Sequence, residues 1–145
     1  VKVDEMPAGR ELDTLVAEKV MGWRWFRPGD AGEDGYPVDF WCDAAGDLTG
    51  WCDRPWPDDT EQWGDAPALF SARGTWQPSQ NIEAAWEVVE KLARRGFIAS
   101  VASDGVDRWA ADFAADPLVT VCTYAPTAPL AICRAALKAA GIEEA

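Results

Sequence analysis

The apolar residues between Trp76 and Gly141 change their spacing twice, from a helical period to a period of two and back, which makes the chain an α+β domain. Ile82, Ala85, Trp86, Val89 and Leu92 share one helical stripe and predict a helix over 79–96. Ser79 is its expected N-cap, and Lys91, Arg94 and Arg95 stand in the last turn, where positive charge complements the helix dipole. Three strands are expected next, over 97–103, 106–114 and 118–124, with Asp104-Gly105 turning the first into the second. Both faces of these strands hold apolar or small residues, such as Phe97 and Val101 against Ile98 and Ala102, the pattern of a sheet covered on both sides. The helical period returns over 127–141, with Pro129 in the first turn and an apolar stripe of Leu130, Ile132, Cys133, Ala136 and Leu137. Ala131, Ala135, Ala136 and Ala139 suit close packing of this helix on the sheet. Another helix is expected over 7–21. It buries Leu12, Leu15, Val16 and Val20, sets Glu11, Asp13, Glu18 and Lys19 on the wet side, and ends at Gly22.

The remaining stretch is of a different kind. The chain has 145 residues, the size of a single domain over 1–145, yet seven of its nine tryptophans fall between Trp23 and Trp76. That stretch, an insertion over about 23–78, also holds eleven carboxylates against four arginines. Within it Trp41-Cys42-Asp43 is echoed by Trp51-Cys52-Asp53. A hairpin with its loop at Ala44-Ala45-Gly46 explains the echo: Cys42 pairs with Leu48, Phe40 with Gly50 and Val38 with Cys52. Val38, Phe40, Cys42, Leu48 and Cys52 then share one face, and Asp39, Trp41, Thr49 and Trp51 the other. In this register Cys42 and Cys52 lie about 13 Å apart, too far for a disulfide.

Composition removes whole classes of chemistry. There is no histidine, so mechanisms built on an imidazole base, nucleophile partner or metal ligand are excluded. With 13 Lys plus Arg against 25 Asp plus Glu the net charge is -12, which opposes a duplex nucleic acid partner. No stretch reaches the ~18 uncharged apolar residues of a membrane span. The calcium-like run Asp30-Ala-Gly-Glu-Asp34-Gly35 fails as an EF-hand, because Gly32 and Trp41 occupy positions that need oxygen ligands. Cys42, Cys52, Cys122 and Cys133 lack the close pairs of a zinc site and read as free thiols. No phosphate loop is present. These readings favour a protein without catalytic residues, metal or cofactor, one that acts by binding.

Three blocks of the chain resemble a family of small bacteriophage and prophage proteins, the phage ABA sandwich domain. They are MPAGRELDTLVAEKVMGW from Met6 to Trp23, SQNIEAAWEVVEKL from Ser79 to Leu92 and TAPLAICRAALKA from Thr127 to Ala139. The resemblance implies a three-layer α/β/α sandwich with a central antiparallel sheet, and a phage or prophage origin. It carries over no catalytic residues. The expected setting is the cytoplasm of the host bacterium.

The residues that stand out for binding are Trp23, Arg24, Trp25, Arg27, Trp41, Trp51 and Arg54. Indole faces stack on planar rings and arginine forks hold phosphate or carboxylate, so this set suits a small nucleotide-like ligand, such as a signal of host defence that a phage protein would sequester. Tryptophans of this kind also seal a long segment onto a sheet. Two alternatives stand beside that reading. Carboxylates between residues 30 and 65 suit an acidic decoy or interaction module for a basic host protein. An exposed, flat Trp41 and Trp51 face would instead suit a self-associating structural component, a homo-oligomer.

Overall fold

A computed structural model describes residues 1–26, 39–42, 48–52, 69–71, 74–116 and 119–145, with residues 10, 24–26, 39–42, 48–52, 69–71, 74–75, 116 and 119 described by their backbone alone. The chain is α+β, as its periods require. Helices α1 (Arg10–Lys19), α2 (Ile82–Arg94) and α3 (Ala128–Ala139) accompany two antiparallel sheets. One sheet joins β1 (Arg24–Phe26), β2 (Asp39–Cys42), β3 (Leu48–Cys52), β4 (Leu69–Ser71) and β5 (Gly74–Thr75) in chain order. The other joins β6 (Ile98–Ser103), β7 (Trp109–Asp116) and β8 (Val119–Ala125).

The α3 helix is the centre of the core. Thr127 caps it by accepting from the Leu130 N–H at 3.4 Å, and Leu130 through Cys133 and Ala135 through Leu137 are all buried. It packs on β6, β7 and β8 and touches α1 and α2. Ala131, Ala135 and Ala136 are fully enclosed, so their small side chains set the close spacing of the layers. Ala111 and Phe113 of β7 face this helix, and Phe97 meets Phe113 edge to face at 6.4 Å. The opposite face of the three strands carries Ile98 at 76% and Tyr124 at 50% exposure. The cover expected there is not supplied by the described residues, and its alanines are small without being buried.

The α1 helix starts at Arg10 rather than residue 7, because the Gly9 N–H is held by Ser79 Oγ at 3.0 Å and the first helical bond runs from Asp13 N to Gly9 O. Leu12, Val16 and Val20 are buried as expected. Asp13 is not on the wet side: it is 3% exposed and accepts from the Ser79 N–H at 2.8 Å. Ser79 is therefore a tertiary clasp between α1 and the approach to α2, and the N-cap of α2 is Asn81, whose side chain accepts from Glu83 N and Ala84 N. Gly22 takes the left-handed conformation (φ 72°) that lets Trp23 N return to Ala17 O.

Two further expectations are corrected. The β6–β7 connection is not a two-residue turn. Ser103 faces Trp109, Asp104 N donates to Arg108 O at 2.8 Å, Asp107 is left-handed at φ 54°, and Val106 stands 92% exposed in the loop. In the β2–β3 hairpin Cys42 does face Leu48, but an irregularity between Trp41 and Cys42 shifts the rest by one residue. Trp41 faces Gly50, Phe40 faces Trp51 and Asp39 faces Cys52. A one-residue slip exchanges faces, so Trp51 joins the row of Phe40 and leaves the face of Trp41. Cys52 still lies three strand positions from the residue opposite Leu48.

Candidate functional site

The outer face of α2 pairs exposed apolar side chains with carboxylates. This helix buries Ala84, Ala85, Val88, Val89 and Leu92. Ile82 and Trp86, expected on that stripe, are instead 50% and 51% exposed. The reason is local. Glu83 and Glu90 stand at i-3 and i+4 from Trp86, with Glu87 beside it, so turning the indole inward would drag carboxylates toward the core. Ile82, Glu83, Trp86, Glu87 and Glu90 line an open depression of about 490 Å³.

The depression has a rigid edge. Trp76 is buried and donates its Nε1–H to Glu87 Oε2 at 3.0 Å, which fixes that carboxylate. The Trp76 ring lies against Trp23, centroid to centroid 4.6 Å with a 48° tilt. An aromatic face bordered by carboxylates attracts cations twice over, through the ring quadrupole and through charge. The surface therefore matches a guanidinium or ammonium group, and its Ile82 an apolar neighbour of that group.

Of the residues singled out from sequence, Trp23 is half-buried against Trp76. Trp25 faces Trp41 across β1 and β2, and Arg24 faces Cys42. Trp51 faces Phe40 on one side and Phe70 on the other. Arg24 and Trp25, being adjacent strand residues, occupy opposite faces of the sheet, as do Trp41 and Trp51 through the shifted register. Arg27 and Arg54 lie outside the described residues, as do most carboxylates between residues 30 and 65.

The other polar clusters are structural. Asp13, with burial pushing its pKa from 3.8 up to about 6 against the opposing Ser79 hydrogen bonds, is sealed inside beside α3. Cys133 is fully buried and its thiol is pushed well up by desolvation first and by Asp13 second. Cys122 is exposed on β8, so two of the four thiols occupy separate environments. Among the described residues no group of three or more Cys, Asp or Glu is arranged to hold a metal ion, and no helix is long and apolar enough to cross a membrane.

Residues 14–137 match the family model of the phage ABA sandwich domain, a range that runs through the Trp-rich segment. The fold is similar to the crystal structure of a phage protein from Bacillus cereus ATCC 14579. That match has a TM-score of 0.55 at 24% identity and covers 94% of this chain and 90% of the other. No curated protein matches.

Proposed function

The chain belongs to the phage ABA sandwich family, and from that premise we propose that it is a non-enzymatic phage accessory protein whose α2 face binds a basic segment of a host protein. One observation carries this reading: Trp86 is half exposed on a well-formed helix, between Ile82 and the carboxylates of Glu83, Glu87 and Glu90. Ile82 and Trp86, about one turn apart, make an apolar patch rimmed by polar residues, and aromatic residues at the centre of a polar ring are where binding energy concentrates. The acidic surplus of the chain, net charge -12, steers a basic partner toward it. The test is a pull-down from host lysate at rising salt. A specific partner should be retained by the wild type, lost by Trp86→Ala and by Glu83→Gln/Glu90→Gln, and released steeply by salt. Capture that is insensitive to all three refutes the reading.

A second reading is favoured by the β1–β2 register, which sets Trp25 opposite Trp41 with Gly50 next in the row. Two tryptophans beside a residue with no side chain suit a stacked planar ring, as in a nucleotide-derived defence signal held by a phage sponge. A panel of mono-, di- and cyclic nucleotides in a thermal-shift assay tests it, since a bound nucleotide raises the melting temperature. A flat response across the panel excludes it.

A further inference from the structure

The strand β6 (Ile98–Ser103) lies at an edge of its sheet, with β7 on one side and no strand on the other among the described residues. Edges of this kind are ordinarily blunted by a charge, a proline or a bulge. Here the sequence Ile-Ala-Ser-Val-Ala-Ser has no charge and no proline, and its register with β7 runs unbroken from Ile98 to Ser103. The bond from Asp104 N to Arg108 O makes residues 104 and 108 a hydrogen-bonded pair. Alternation then turns the backbone groups of Ala99, Val101 and Ser103 toward the open edge.

We infer that β6 pairs antiparallel with β6 of a second copy of this chain, joining the two three-stranded sheets into one. This proposal does not depend on the partner of the α2 face. Charge selects the occupant. Arg94 and Arg95 are exposed just before β6; just after it Asp104 and Asp107 are exposed, with Arg108 paired to Asp104 at 3.5 Å, which leaves that end one net negative charge. A two-fold axis brings the basic end of each copy beside the acidic end of the other, twice in one contact. The strand itself is neutral, so a chain of net charge -12 meets less self-repulsion there than at a carboxylate-bearing face. The pleat agrees: an axis at Val101 sets Ala99 opposite Ser103 of the second copy, which keeps the helix-covered faces on the same side.

Sedimentation over a concentration series tests the pairing against the 15.8 kDa of one chain. Wild type is expected to double its mass with concentration. Ser100 is exposed, and Ser100→Lys sets two lysines close together across the axis, which should weaken the dimer at least tenfold. Arg94→Glu/Arg95→Glu and Asp104→Lys/Asp107→Asn should each be monomeric alone, because like charges then meet or attraction is lost at both ends. Mixed, the two variants should dimerise again, with each altered end facing its complement. Circular dichroism establishes that all variants are folded. A wild type that stays monomeric at every concentration, a dimer indifferent to Ser100→Lys, or a mixture that remains monomeric overturns the proposal.

Discussion

Asp13 makes the cost of a buried carboxylate measurable. It is 3% exposed, accepts from Ser79 N at 2.8 Å, and has its pKa raised by burial from 3.8 to about 6. The folded chain therefore holds this proton more tightly than the unfolded chain. Below the lower value both states are protonated and the stabilisation is fully present. As pH rises toward the upper value the unfolded chain has released its proton while the folded one keeps it, and stability falls by about 1.4 kcal/mol per pH unit. The loss is complete above the folded pKa and amounts to about 3 kcal/mol. Asp13→Asn keeps an oxygen for Ser79 and cannot ionise. Urea titrations of both proteins at a series of pH values isolate the effect, because every other carboxylate cancels in the difference. Wild type should lose ground to Asp13→Asn by about 3 kcal/mol between roughly pH 3.5 and 7, equivalent to a melting shift of about 10 °C. Parallel stability curves, with a constant gap, would refute a strained buried carboxylate.

Gly22→Ala meets open space but must hold φ 72°, so it should cost about 1 kcal/mol in a urea titration, and an unshifted midpoint would contradict the left-handed terminus. Native alkylation followed by peptide mass spectrometry should label exposed Cys122 and spare buried Cys133 until the protein unfolds. Ala135→Leu inserts volume where α3 is fully enclosed and should cost about 1–3 kcal/mol by the same denaturation assay. Trp86→Ala, on an exposed face, should leave stability within about 0.5 kcal/mol, which separates any loss of binding from a loss of folding.

What the sequence made readable was whatever is decided within a few residues. The start of the last helix at Thr127, the helix ends at Gly22, Gly96 and Gly141, and the order of periods all depend on neighbours in the chain. Asp13 and Ser79 were misplaced because their partner lies 66 residues away, and no local pattern distinguishes a buried acid from a wet one. The face of α2 was rotated for a different reason. Val88 completes an apolar stripe as well as Trp86 does, and only the flanking glutamates decide between them. The β2–β3 pairing was read correctly up to Cys42 and Leu48, beyond which one extra residue inverted every assignment of face. Of the candidate residues, Trp23 lies against Trp76 and Trp25 is the strand partner of Trp41, whereas the α2 carboxylates escape a reading that assigns Trp86 to the core stripe.

The contact between Trp23 and Trp76 joins the two ends of the acidic, tryptophan-rich stretch at 4.6 Å. A segment whose ends are fastened side by side can change length at little thermodynamic expense, about 0.6 kcal/mol for each doubling, because closure is supplied by the fastening. Besides the paired indoles, the described residues tie this segment to the helices where β4 approaches α1. Changes in the length of that stretch therefore add little closure cost as long as the two indoles stay paired.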